Sequence, residues 1–379
     1  MSKLEQLIAE LCPDGVEYVA LCEVAKVSNG RDHKSLSDGE HPVYGSGGVM
    51  RYADQYLYDR PSVLIPRKGS LGNIFFVDIP FWTVDTIFYT VINESKIAPK
   101  FFYYFITAQH IEDLNQAGGV PSMTKAVLDR IKIPLPPLPV QREIVRILDN
   151  FTELTAELTA ELTARKKQYE YYRDELLAFG DDVPMVKLAE IAETSLTYGS
   201  SASAIPFDGK TRYIRITDIA ENGTLNDNNT SPSVVDSKYL LSDGDVLFAR
   251  SGATVGKTYR YKKIDGNAIY AGYLIRLVAN KQIALPDYIY YCVNTTIYWD
   301  FVNSTKSVGS QPNINAQQYG GFKIPLPSLA EQSRIVSVLD KFDTLTSDIT
   351  IGLPAEIEAR NKQYEYYRDK LLTFKEAGV

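Results

Sequence analysis

Residues 151–174 read FTELTAELTAELTARKKQYEYYRD, and the tetrad Thr-Ala-Glu-Leu stands there twice in tandem, at 155–158 and 159–162. Four residues is close to one helical turn, so a tetrad is gained or lost with the buried face nearly kept. Each unit adds about 6 Å of helix and rotates the rest of the rod by roughly 40°. Outward from the tandem, Ile144, Leu148, Phe151, Thr155, Leu158, Leu162, Arg165, Tyr169, Tyr172, Leu176 and Phe179 follow steps of four and three, a coiled-coil seam. Val140, behind Pro139, is the expected helix start. A rod from 140 to 179 is about 60 Å long, and a rod that grows in single turns is a spacer.

The rod belongs to a repeat of the whole chain. KIPLPPLPVQREIVRILDNF (132–151) returns as KIPLPSLAEQSRIVSVLDKF (323–342), shifted by 191, and RKKQYEYYRDELLAF (165–179) returns as RNKQYEYYRDKLLTF (360–374), shifted by 195, with 12 of 15 positions identical. The second rod is therefore one tetrad longer. Its seam runs Ile335, Leu339, Phe342, Thr346, Ile349, Leu353, Ile357, Arg360, Tyr364, Tyr367, Leu371, Phe374, and its two successive steps of four stutter beside Gly352 and Pro354, where a kink is expected. Fainter echoes pair VALCEVA with VKLAEIA, SVLIPRKGSLGN with DVLFARSGATVGK, and APKFFYYF with LPDYIYYC.

Ahead of each rod lies a variable region. Runs such as SVLIPR, IFFVDI, TIFYTVI, YIRITDI, DVLFAR and YLIRLVA between Gly-, Asn- and Ser-rich turns predict short strands. APKFFYYFITAQHIEDL and LPDYIYYCVNTTIYWDF each predict a helix. The expected class is α+β with an internal pseudo-two-fold repeat: domains at 1–139 and 180–325, and conserved helices at 140–179 and 326–379.

The 379 residues are 45% hydrophobic and 23% charged, as in ordinary globular chains. No apolar run reaches the ~18 residues of a membrane span. MSKLEQLIAELCPDG reads as a short amphipathic helix, not a signal peptide, so the cytoplasm is the expected location. Three scattered cysteines and three scattered histidines suggest neither disulfides nor a metal site. SGATVGKT (251–258) has three residues between its glycines where a phosphate loop needs four. Neither the Asn/Asp-Pro-Pro-Tyr/Phe pocket of amino-group methyltransferases nor a nucleophile elbow is present, so the chain is read as non-catalytic. The net charge of −7 speaks against a stand-alone DNA binder, because phosphate contacts supply much of the affinity.

The duplicated IPLPPL…Q…IV.ILD.F and R.KQYEYYRD.LL.F blocks, with a TAEL tandem between the first pair, resemble the specificity subunit (HsdS) of type I restriction–modification enzymes, nearest to the group with TAEL repeats in its spacer. The resemblance covers essentially the whole chain. It implies two target recognition domains, each reading half of a split site in double-stranded DNA, joined by two long antiparallel conserved helices. It also implies docking of two HsdM methyltransferase subunits and, through them, HsdR restriction subunits. S-adenosylmethionine then belongs to HsdM, and ATP and Mg to HsdR, with no cofactor in this chain. A coiled-coil scaffold for proteins, without DNA specificity, is the alternative reading.

Candidate DNA contacts are polar and cationic residues on glycine-rich loops, since Arg pairs bidentately with guanine and Asn or Gln with adenine. VYGSGGVMRY offers Tyr44, Ser46 and Arg51, and the next loop Arg67, Lys68, Ser70 and Asn73. GGVPSMTK (118–125) offers Ser122 and Lys125. In the second half the candidates are Arg215, Thr217 and Asp218; Arg250, Ser251, Thr254 and Lys257; and, from GSQPNIN (309–315), Gln311, Asn313 and Asn315. On the rods, Tyr169, Tyr172, Tyr364 and Tyr367 fall on the seam and are expected to pack. Tyr171, Arg173, Tyr366 and Arg368 face elsewhere and are the candidate partner contacts.

Overall fold

Ser2 and Glu5 form a capping box that starts α1 (Lys3–Leu11), the helix expected at the N-terminus. The structure, a computed structural model, describes residues 2–114, 121–307, 309, 311–347 and 351–378. Its contacts divide the chain into Met1–Leu158 with Ile357–Val379, and Thr159–Glu356, so the division falls between the two tetrads.

In the first unit β1 (Tyr18–Ala20) passes through a helical turn, α2 (Leu21–Val24), into β2 (Ala25–Asn29). β3 (Asp38–Gly45) and β4 (Gly48–Ala53) form a hairpin. β5 (Ser62–Pro66), β6 (Phe75–Val77), β7 (Trp82–Thr83) and β8 (Ile87–Ile92) come next, with β7 parallel to β3. The main sheet has the order β2-β8-β5-β6. β5 is buried along its whole length, which accounts for its unbroken apolar run. Helix α3 (Pro99–Ala108), opened by proline in its first turn, puts Phe101, Phe102, Phe105 and Ile106 into the core. A short helix, α4 (Lys125–Leu128), and β9 (Lys132–Pro134), antiparallel to β1, lead to the 39-residue α5 (Leu138–Leu176).

The second unit repeats the plan. It runs β10 (Met185–Lys187), α6 (Leu188–Ile191), β11 (Thr197–Tyr198), β12 (Ala204–Pro206), β13 (Arg212–Ile214), β14 (Thr230–Pro232), β15 (Val246–Ala249), β16 (Thr258–Arg260), β17 (Ala268–Tyr270) and β18 (Leu274–Leu277). Then come α7 (Pro286–Cys292), α8 (Thr296–Thr305), α9 (Ala316–Gly320), β19 (Lys323–Pro325), α10 (Leu329–Ser347) and α11 (Leu353–Leu371). Its sheet order β11-β18-β15-β16 matches the first, β13–β17 reproduces the parallel β3–β7 pair, and β10–β19 reproduces β1–β9.

Three expectations change. LPDYIYYCVNTTIYWDF makes two helices, because Thr295 caps a new one by accepting the Tyr298 N–H. YIRITDI is strand only to Ile214, since the Asp218 carboxylate accepts the Arg215 N–H and turns the chain. The C-terminal rod is two helices: α10 ends at Ser347 and α11 starts at Leu353, with Pro354 in its first turn, beside the expected kink. Ile349 lies outside the described residues.

Each core is closed by a rod segment from the other copy of the repeat. The first core takes Ile144 and Leu148 from α5, and also Tyr364, Leu371, Leu372 and Phe374. The second takes Ile335 and Leu339 from α10, and also Tyr169, Leu176, Leu177 and Phe179, which are the same four positions shifted by 195. Phe151 stacks on Tyr367 at 5.6 Å in the first unit, and Tyr172 on Phe342 at 5.8 Å in the second. The seam tyrosines thus pack as expected.

A buried glutamine fixes each recognition region to its rod. Gln141 accepts the Ala98 N–H at 2.7 Å and donates to the carbonyls of Lys96 and Pro136 at 3.0 and 2.7 Å. Gln332 does the same with Leu285 N–H, Ile283 O and Pro327 O at 2.9, 3.1 and 2.9 Å. About two turns on, Tyr104 donates to Asp149 at 2.6 Å and Tyr291 to Asp340 at 2.5 Å. Burial, and then the acceptor carboxylate, raises both phenol pKa values.

Candidate nucleic-acid interface

Three residues past each of β5 and β15 stands a glycine in the left-handed region: Gly69 has φ +81°, and Gly252 has φ +70°. The loops at these two glycines are held by the same backbone clasp. Arg67 N–H bonds Thr86 O, Gly69 N–H bonds Pro121 O, and Met123 N–H bonds Arg67 O, at 2.9, 3.1 and 2.8 Å. In the second unit Arg250 N–H bonds Tyr273 O, Gly252 N–H bonds Pro312 O, and Ile314 N–H bonds Arg250 O, at 3.0, 2.9 and 2.9 Å. The bridges Lys68–Ser122 and Ser251–Asn313 complete the match. Loops 52 to 64 residues apart in sequence therefore meet, and they are the loops singled out as candidate DNA contacts.

Each clasp carries an arginine backed by an aromatic ring. The Arg67 guanidinium lies 5.7 Å from the Phe88 ring centre, and Lys125 Nζ lies 5.8 Å from the same ring. Arg250 lies 4.8 Å from the Tyr198 ring. Phe88 is paired with Asn29 across β8 and β2, and Tyr198 with Ile275 across β11 and β18, so the ring comes from opposite strands of the same rung. A ring beneath a guanidinium holds it in place without using its hydrogen-bond donors. Sequence reading missed Phe88 and Tyr198, because the strand register alone brings them to the arginines.

Other candidates join these surfaces. Asn73 donates to Ser46 O at 3.2 Å, which ties the β3–β4 turn to the first loop. Lys68, Ser70 and Ser122 are exposed beside it. In the second unit Gln311 and Thr217 are exposed, Asn313 is half-buried, and Thr254 donates to Ser251 O at 3.2 Å. Gly118, Gly119 and Val120 of the one loop, and Ser310 of the other, lie outside the described residues.

Several candidates are committed elsewhere. Tyr44 packs on Phe75 and Phe81, and burial raises its pKa. Arg51 is bound to Asp38 at 2.8 Å and to Leu36 O. Lys257 is paired with Glu221 at 2.7 Å and is only 17% exposed. Asn315 caps α9 through the Gln318 N–H. Asp218 is 1% exposed and accepts from Arg215 and Thr217, so it is a support for Arg215 rather than a reader.

On the rods, Tyr171 and Tyr366 are 63% and 62% exposed, at equivalent positions. The Glu175 carboxylate beside it raises the Tyr171 pKa. Arg173 and Arg368 are not outward-facing partners as expected. Their side chains are 11% and 10% exposed, paired with Asp174 and Asp369 and laid over the rings of Tyr169 and Tyr364. Among the described residues no cluster of His, Cys, Asp or Glu could hold a metal, and no helix is long and apolar enough to cross a membrane.

Two repeated α+β units each hold a clasped loop with a ring-backed arginine, and the relatives of the chain define its class. Residues 13–165 and 180–359 match the type I restriction modification DNA specificity domain. The chain belongs to that family and is a non-catalytic DNA-specificity subunit, of a kind that assembles with methyltransferase and restriction subunits. It is 33% identical to the EcoR124I/EcoR124II specificity subunit of Escherichia coli, over 99% of this chain and 97% of that one. It is 32% identical to a putative type I specificity subunit of Haemophilus influenzae, over 95% and 96%. The S subunit of M. genitalium shares the fold, with a TM-score of 0.58 at 16% identity over 94% of this chain and 96% of that one. A second solved structure, from work on type I assembly and conformational transition, has a TM-score of 0.62 at 19% identity, over 95% and 98%. The scaffold reading is not favoured.

Proposed function

We propose that each unit reads one half of a bipartite DNA site through its clasped loops. In the first unit the contacts are Arg67, Lys68, Ser70, Asn73, Ser122 and Lys125, with Ser46 on the adjoining turn. In the second they are Arg250, Ser251, Thr254, Gln311 and Asn313, with Arg215 and Thr217. The observation that carries this reading is the repetition of one backbone clasp, with a ring-backed arginine, beneath side chains that differ between the copies. A common anchor with divergent neighbours suits a protein that holds two phosphate backbones alike and reads two different base sequences. Tyr171 and Tyr366 then dock two methyltransferase subunits, one on each copy of the repeat, and the restriction subunits join through them. S-adenosylmethionine is bound by the methyltransferase, ATP and Mg by the restriction subunit, and the complex works in the cytoplasm. The test is to express the chain with its methyltransferase and map methylated adenines in the host DNA. One bipartite motif is expected, and its absence refutes the reading.

A further inference from the structure

The second unit has a cleft of about 610 Å³ whose lining includes Ser201, Arg215, Thr217, Gly272 and Tyr273. Arg215 is aimed by its neighbour: Nε and Nη2 donate to Asp218 at 3.2 and 2.9 Å, and the backbone N–H to the same carboxylate at 2.9 Å. That leaves the Nη1–Nη2 edge of the guanidinium, two parallel N–H groups, without a partner among the described residues. The aiming carboxylate is itself buried, and both its oxygens are taken up by Arg215 and Thr217 donors. Tyr273 stands 62% exposed, and its carbonyl holds the Arg250 clasp, which makes the cleft continuous with the loop of Arg250 and Asn313.

The first unit carries different residues at the matching place. Arg67 N–H bonds Thr86 O as Arg250 N–H bonds Tyr273 O, so Thr86 corresponds to Tyr273 and Asp85 to Gly272. Where the second unit opens with a glycine and an exposed ring, the first has an acid and a small hydroxyl residue. An arginine fork held rigid by a buried carboxylate matches the paired O6 and N7 acceptors of guanine in the major groove.

We propose that this cleft reads a guanine in the half-site of the second unit, with Arg215 as the base contact and Tyr273 as a second specificity determinant. The proposal rests on the reading that this unit contacts DNA, and the two fail differently. The experiment uses the full chain with its methyltransferase and maps methylated motifs for the unaltered protein, for Arg215→Gln with Asp218→Asn, and for Tyr273→Thr, the residue of the first unit. The expected result is loss of preference for guanine at one position of one half-site, by about 5- to 150-fold for the arginine variant. Tyr273→Thr weakens the same position, and the other half-site and the gap are unchanged. An unchanged motif overturns the proposal. So does an unchanged motif methylated less, with binding less salt-dependent by about one phosphate, since Arg215 then touches the backbone. No bipartite motif from the unaltered chain sinks the underlying reading as well. Tyr273 is exposed and carries no core packing, so its variant decides alone if the double variant does not fold.

Discussion

Replacing Gln332 by leucine keeps the side chain's approximate size and removes three hydrogen bonds at a fully buried site. The Leu285 N–H loses its acceptor and the Ile283 and Pro327 carbonyls lose a donor. One orphaned N–H costs about 1–3 kcal/mol, and each carbonyl, an acceptor with a second lone pair, about 0.5–1 kcal/mol. Burying the apolar leucine returns about 1 kcal/mol, which leaves a net loss of about 1–4 kcal/mol. For a unit of about 200 residues that is a fall in Tm of about 2–16 °C. The protein has two tryptophans, Trp82 and Trp299, one in each unit, so Trp82→Phe makes fluorescence report the second unit alone. Urea unfolding of that background with and without Gln332→Leu gives the difference directly. Gln332→Glu adds a sign test: its carboxylate faces two carbonyl oxygens when ionised and donates to one when protonated, so it should be less stable at pH 8 than at pH 5. A midpoint for Gln332→Leu within about 0.5 kcal/mol of the parent would refute the latch.

Glu143, 4% exposed beside Arg146 and Lys3, has its pKa lowered to about 2, first by the Arg146 hydrogen bond and then by that of Lys3. A depressed folded pKa stabilises above the unfolded value of about 4.3 and loses that contribution as pH falls towards 2. Glu143→Gln should therefore trail the parent at pH 7 and approach it at pH 2.5 in urea titrations, and a constant gap would contradict the pairing. Tyr171→Ala and Tyr366→Ala should each weaken methyltransferase binding by about 2 kcal/mol, near 30-fold, by titration calorimetry, with both half-sites unchanged. Inserting one Thr-Ala-Glu-Leu after Leu162 adds about 6 Å of helix and should lengthen the unspecified gap of the methylated motif, by at most two base pairs. Altered half-sites in that variant would show that the tetrad is not a spacer.

Much of the fold was legible because the repeat supplies its own alignment. The strands at SVLIPR and DVLFAR, the rod seam and the break near Gly352 follow from local pattern. The partnership of Tyr364 with the first core was not legible, since a seam says which face is buried and not against which copy. The loops at Arg67 and Ser122 were chosen separately on composition, and only the backbone clasp joins them. Lys257 and Asn315 misled because an exposed-looking Lys or Asn in a polar loop serves an ion pair or a cap as readily as a ligand. Gln141 and Gln332 left one sign, their retention in both copies although the two residues on either side of each differ.

The borrowing of Tyr364, Leu371, Leu372 and Phe374 by the first core sets an order of assembly on the ribosome. Thr159–Glu356 is one unbroken stretch and has all its parts once residue 356 has emerged. The amino-terminal reader, although made first, waits for the last turns of α11 before its hydrophobic interior is sealed. A premature stop shortly after residue 356 thus strikes the distant, earlier-synthesised lobe and spares the nearer one.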